Sequence, residues 1–385
     1  MRNIFFEMRK SWLKTSTFVV LIILTILNFI RMNDFCRTAH SMTYAERGAS
    51  YFRLYETVCG ELTEEKLAPF RARRAELDAE IADRVYSTEF QPDKYYTGYV
   101  FGDFILYKLD IGPEITYCVT YPNKINQVAE NALEAYKFYK DKGNVFETKK
   151  ALMAYNLYRN RSIPEYRATY WTELFFGQDF SSLLCVILLI LGLSASFSVE
   201  KESGMYQLIT ASGNNGKTAF AKICSAAIYS ALLSAYFTIC DLAFANFLLG
   251  VRGLNMPIYS ASIFENSPFT FSLLGAIFVW FGIRFLALFA MSFVILLISK
   301  ITPNTIIAMA ASFGISLVLI ALTSLSKNVF NPLCALTPNA YTTDFSVIEF
   351  FGQPVLSLIA AVIALIAECA VLGTITFITD RFLRR

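Results

Sequence analysis

The 385-residue chain has a single histidine, His40, and none of its eight cysteines falls into a CxxC pair. A zinc site built on Cys and His ligands lacks its parts, and so does nucleophilic catalysis that relies on an imidazole base. Charge is scarce as well. Only 17% of the residues are charged, whereas 55% are hydrophobic and the mean hydropathy is +0.45, more apolar side chain than one globular core requires.

The apolar residues come in blocks at 13–30, 180–197, 218–239 (with room to continue to Leu249), 269–299, 304–325 and 354–379. Each can cross a hydrocarbon core, which takes about 20 helical residues. The sequence therefore predicts a mainly α, polytopic membrane protein with six transmembrane helices. Basic residues set its orientation, because positive flanks stay on the cytoplasmic side. Arg2, Arg9, Lys10 and Lys14 precede the first run, and Lys201, Lys217 and Lys222 lie around the junction of the second and third. Lys300 follows the fourth, and Arg381, Arg384 and Arg385 close the chain. The connections around Arg252 and Lys327 are poorer in positive charge and carry Glu265, Asp344 and Glu349. Both termini are thus expected to be cytoplasmic in a multi-pass plasma-membrane protein. No small-residue cleavage pattern follows Ile30, so the first run reads as a retained signal anchor. Before it, Ile4, Phe5, Met8, Trp12 and Leu13 oppose Arg2, Arg9 and Lys10, as in an amphipathic interfacial helix over 1–12.

The segment 31–171 is too long and too polar to be a loop and is expected to be a mostly helical (α or α+β) extracytoplasmic domain between the first and second spans. Leu67, Phe70, Leu77, Ile81 and Val85 form a helical stripe over 63–86, with Glu64 and Glu65 in its first turn and Arg74 interrupting it. Two further helices are expected at 124–140 and 145–161, separated by Gly143. Aromatic and β-branched enrichment suggests strands at 95–109 and 115–121. Cys36, Cys59 and Cys118 fall in this domain, where a disulfide can persist, although three thiols cannot all pair. The remaining 172–385 make the bundle of helices 2 to 6.

A polar passage, 197–222, separates the second and third runs. Ala211, Gly216, Lys217 and Thr218 meet the loose form of a phosphate-binding loop. Such a loop needs a strand before it and an α/β domain around it, and two flanking spans leave no room. We read it as a polar turn at the membrane face. The same passage holds Phe197, Glu200, Gly204, Leu208, Ser212 and Lys222 in that order. In this it resembles the permease subunits of ABC-2-type ABC transporters, which place a Phe and Glu at the end of the second span, then a Gly, a short helix with Leu, a small polar turn and a Lys opening the third span. The departure is Gly213-Asn214-Asn215-Gly216, where relatives carry Pro and Arg.

The resemblance implies a cytoplasmic coupling helix at 201–210 that docks in a groove of a separate ATPase subunit. Glu200 and Glu202 would face a basic rim, Gly204 would permit close backbone approach, and Met205, Leu208 and Ile209 would give an apolar contact. It further implies that ATP and Mg are bound by the partner ATPase rather than by this chain, that a second permease copy or a related permease completes the pathway, and that transport is export. No nucleic-acid partner is expected. The alternative for 201–210 is a helix resting on headgroups, against which its acids weigh.

Within the spans, Ala227, Ala231 and Ala235, and more briefly Ala310 and Gly314, make small-residue stripes suited to helix or subunit contacts. Arg284 and Glu368 sit at matching depth in the fourth and sixth runs, so they either pair inside the bundle or face a water-filled pathway. Asp241 is expected near the outer surface, where an unpaired acid is inexpensive. Two other classes remain: a membrane-anchored ligand-sensing or structural subunit without translocation, and an integral-membrane enzyme. The second finds no carboxylate pair, Ser-His or Cys-His set, or metal cluster.

Overall fold

The structure is a computed structural model. It describes residues 2–40, 43–83, 90–177, 179–212, 215–325, 328–337 and 339–382. Val85, Tyr86, Gly213, Asn214, Lys327, Arg384 and Arg385 lie outside them.

The chain is mainly helical, and six helical segments are long and apolar enough to cross a membrane: Thr15–Ala39, Trp171–Glu202, Gly216–Leu249, Leu273–Ile301, Thr305–Thr323 and Ser357–Ile378, hereafter spans 1 to 6. An amphipathic helix, Arg2–Ser11, precedes them and carries Arg9 and Lys10 in its last turn. Span 1 runs in one helix, Thr15–His40, well past the end of its apolar run. Cys36, assigned from sequence to the outer domain, therefore lies in that helix. All eight cysteines are free.

A second body, with its own apolar core, is built largely from the residues between spans 1 and 2. The helix Glu64–Ala82 buries Leu67, Phe70 and Leu77, and Arg74 turns to Thr116, its Nη1 donating to Oγ1 at 2.7 Å. Left-handed Gly143 (φ +70°) ends one helix and Asn144 caps the next, Val145–Tyr158. The strands expected at 95–109 and 115–121 are absent. Helix Val100–Phe104, a π-helical stretch Ile105–Asp110 and helix Ile111–Asp141 occupy them. In the last of these, the buried side chains Ile111, Ile115, Cys118, Tyr121, Ile125 and Ala129 recur every three or four residues. Aromatic and β-branched enrichment reported burial, and the helical period was the sounder guide. Among the described residues, strands form only two antiparallel ribbons, Gly60–Glu61 with Glu165–Tyr166 and Val347–Phe350 with Gln353–Leu356.

This body is not confined to 31–171. The connection between spans 3 and 4 contributes Met256, Ile258, Ala261 and Phe264 to its core. Arg161 holds that connection, donating to the Ser267 and Pro268 carbonyls at 2.7 and 3.0 Å while its guanidinium lies 4.8 Å from both the Tyr158 and Tyr259 rings. Tyr158 donates to Asn266 O, and Trp171 Nε1, at the start of span 2, donates to Arg252 O at 2.8 Å. Span 2 and the span 3–4 connection are thereby tied to one packed unit.

Glu114 is the buried carboxylate of this unit. It accepts from Tyr166 Oη at 2.8 Å and from Thr169 N and Oγ1 at 3.0 and 3.2 Å. Burial pushes its pKa up to about 7, against the pull of those donors and of Arg47. Because the folded value exceeds the ordinary 4.5, the folded state holds the proton longer. The linked stability is complete below the ordinary value and is lost as pH rises to about 7, on the order of 3 kcal/mol in all. Thermal unfolding of wild type and Glu114→Gln across this range should therefore show a pH-dependent loss in the wild type alone; parallel curves would refute it.

Candidate functional site

Span 2 ends in a separate short helix, Ala195–Glu202. The break at Ser194 frees the amides of Phe197 and Ser198, which would otherwise continue the ladder, and both donate to Ser299 Oγ of span 4 at 3.0 and 3.2 Å. The helix stops at Ser203, and Gly204 follows in the left-handed conformation (φ +71°), which favours a residue without Cβ. A new helix, Met205–Ala211, then runs on the surface with no buried residue; Met205 and Leu208 are 50% and 66% exposed. The single helix expected over 201–210 is thus two. Lys201 and Glu202 close the first, and Gly204 is the joint.

Glu200 does not face outward. It is buried, and its Oε1 accepts from Lys10 Nζ at 2.5 Å and from Lys222 Nζ at 2.8 Å. Lys222, buried at the start of span 3, also pairs with Glu7 Oε2 at 3.1 Å, donates to Ser196 O, and lies 4.6 Å over the Phe197 ring. Two acids and two lysines from three segments make a neutral buried cluster. The contact expected between Glu200 and a basic partner rim is therefore replaced by an internal one: Lys10 and Lys222 already supply the charge. Glu202 remains exposed but caps span 5, its oxygens accepting from Thr305 N at 2.8 Å and Thr305 Oγ1 at 3.0 Å. Lys201 donates to the Lys300 and Thr302 carbonyls, and Lys300 Nζ reaches Thr376 O of span 6 at 2.6 Å. The helix Ala195–Glu202 thus touches the amphipathic helix and spans 3, 4 and 5, with span 6 one step away.

Beside this hub is a cavity of about 560 Å³ between the amphipathic helix, the exposed helix and the start of span 3, lined by Asn3, Lys10, Ser203, Met205 and Lys217 among others. Gly216, Lys217 and Thr218 belong to the opening of the span 3 helix, and the element before them is the helix Met205–Ala211. The strand that a phosphate-binding loop requires is not there.

A second polar cluster lies toward the other end of span 3. Asp241 is buried. Its Oδ1 accepts from Asn28 Nδ2 of span 1 at 2.7 Å, and its Oδ2 accepts from Ser181 Oγ of span 2 at 2.7 Å and from Arg284 Nη1 of span 4 at 3.4 Å. Arg284 also donates to Ser181 and to Thr238. The Arg284–Glu368 pair expected from matching depth does not form: Arg284 turns toward spans 2 and 3. Glu368 Oε2 is buried without a hydrogen-bond partner among the described residues. Depth along two helices does not fix the face each presents, and Asp241, read from sequence as a peripheral acid, is the counter-ion. Among the small residues of span 3, Ala226, Ser230, Ser234 and Thr238 are buried within the chain, whereas the stripe Ala227, Ala231 and Ala235, one position on, is half-buried.

No protein-family model matches the chain, and no curated protein or solved structure matches it either.

Each cluster carries a test. Lys222→Met leaves two carboxylates with Lys10 as their one counter-charge and should cost about 3–5 kcal/mol in thermal unfolding; adding Glu200→Gln should recover part of that loss, whereas simple additivity would mean the two do not act as a unit. Likewise, the destabilisation caused by Arg284→Gln should be relieved by Asp241→Asn and left unchanged by Glu368→Gln. The reverse pattern would reinstate Glu368 as the partner.

Proposed function

We propose that the chain is the permease subunit of an ABC-2-type exporter, in which ATP hydrolysis by a separate subunit drives substrate across the plasma membrane. The observation that carries this reading is the helix Met205–Ala211: wholly at the surface, apolar at Met205 and Leu208, and joined through Gly204 to a hub that contacts most of the bundle. An exposed apolar helix at the end of a membrane bundle invites a protein contact. A partner pressing on it acts on the hub, and the hub is bonded to spans 3, 4 and 5 and, through Lys300, to span 6. That is the connectivity a rigid-body switch between two access states requires.

In this reading Met205 and Leu208 make the ATPase contact, while Glu200, Glu202 and Gly204 position the helix that presents them. ATP and Mg are bound in the ATPase, a second permease copy or a relative faces this one across the pathway, both termini are cytoplasmic, and the second body is extracytoplasmic. The basic residues around the amphipathic helix and at Lys217 support that orientation.

Purification of the full chain from its native membrane should bring down a stoichiometric ATP-hydrolysing subunit. Leu208→Asp should keep the melting temperature of the wild type yet lose that subunit. A stable native complex containing no ATPase would sink the proposal and favour a sensing or structural subunit.

A further inference from the structure

Span 1 is barely packed against the bundle along its length, and it is held at two levels. At one, Trp12 Nε1 donates to Ser225 Oγ at 3.1 Å and the indole stacks on Tyr229 at 4.7 Å between centroids. At the other, Thr25 and Tyr236 share a hydrogen bond at 2.9 Å and Asn28 reaches Asp241. Between them lies an apolar groove of about 350 Å³, walled by Leu21 of span 1, Leu188 of span 2 and Leu233 of span 3. From Tyr229 to Tyr236 it is roughly 10 Å deep at 1.5 Å per helical residue. The polar atoms of Trp12, Tyr229 and Tyr236 in its walls are already satisfied, Trp12 by Ser225, Tyr229 Oη by donating to Leu188 O at 2.9 Å and Tyr236 by Thr25. Apart from the Thr17 hydroxyl, the walls therefore offer a ligand apolar surface.

One end is different. Met8 and Leu13 line it, and their sequence neighbours Arg9 and Lys14 are exposed, with no side-chain ion pair or hydrogen bond among the described residues. The other charges on this stretch, Glu7 and Lys10, are consumed in the buried cluster with Glu200 and Lys222. A slot that is apolar in depth, with two exposed basic residues each one position from its lining at one end, matches one kind of molecule in a bilayer. We propose that it holds an acyl chain of an anionic phospholipid whose phosphate rests on Arg9 and Lys14. The chain fills space that would otherwise leave the lining side chains without contacts, and it completes the packing of span 1. The proposal rests on the membrane reading of the six spans and is independent of the partner ATPase.

The full chain, placed in phosphatidylcholine nanodiscs, is titrated with dibrominated phosphatidylglycerol or with dibrominated phosphatidylcholine. The quenching of Trp12 is taken as the difference between wild type and Trp12→Phe. Phosphatidylglycerol should half-quench Trp12 at a mole fraction lower by about fivefold if one of the two basic residues engages it and about thirtyfold if both do, at about 1 kcal/mol each. The Arg9→Gln/Lys14→Gln variant should abolish that preference with its melting temperature unchanged. Equal quenching by the two lipids would reduce the groove to ordinary boundary lipid. Absence of quenching by either would mean that protein, such as a second copy, fills it or that this end lies outside the bilayer. Should Trp12→Phe fail to fold, native mass spectrometry of the purified chain gives the same comparison: phosphatidylglycerol retained by wild type and lost from the double variant supports the site, and equal retention overturns it.

Discussion

The ammonium of Lys222 is the constraint on which one end of this structure depends. It is buried at the start of span 3, where an uncompensated charge is prohibitively costly, so counter-charges must come to it. They come from two separate segments, Glu7 of the amphipathic helix and Glu200 at the end of span 2, and Lys10 restores neutrality. Satisfying one lysine thus fixes where two helices lie. Once Ala195–Glu202 is placed, the partners of Ser299, Lys300 and Thr305 follow from its own unsatisfied groups.

Span 3 bears the opposite charge near its other end. Asp241 lies 19 residues beyond Lys222, about 28 Å along a helix and close to the thickness of a hydrocarbon core. Each end is tied by hydrogen bonds to neighbouring helices, Lys222 to the amphipathic helix and span 2, Asp241 to spans 1, 2 and 4. Between the two levels the helix presents the small buried residues Ala226, Ser230 and Ser234, the last donating to Phe281 O of span 4 at 3.0 Å. Span 3 is thus a strut pinned top and bottom. Spans 5 and 6 are attached chiefly through apolar faces and their Thr305 and Thr376 ends. The polar bonds divide the bundle into a stiff set, spans 2 to 4, and a looser one.

The sequence made the spans legible because a run of apolar residues has few other uses at such length. It also made three helices of the second body legible, where stripe, acidic first turn and Gly143 agreed. In the stretch 95–121 residue type points to strands while the spacing of buried positions points to helix, and the spacing decides. The ionic partners were illegible for a different reason. Sequence gives the height of Arg284 in its helix, but the choice between Asp241 and Glu368 depends on helix rotation and on which spans are neighbours. Asn28, a lone amide in an apolar run, and Glu7, a lone acid among basic residues, were visible oddities that signalled buried polar contacts.

The segment 200–208 shows how a motif can mark the right place while misassigning its parts. Glu200 and Leu208 read alike from sequence as contact residues, yet one is buried against two lysines and the other is two-thirds exposed. A carboxylate that neutralises an internal cluster cannot also neutralise a partner's basic rim without giving up the lysines that fix it. In the permease reading, then, electrostatics at Glu200 supplies stiffness and apolar surface at Met205 and Leu208 supplies affinity, with Gly204 setting the angle between them. Stiffness behind the contact is what makes such a helix a lever: a force on it that met a loose joint would be spent on local rearrangement before reaching the spans.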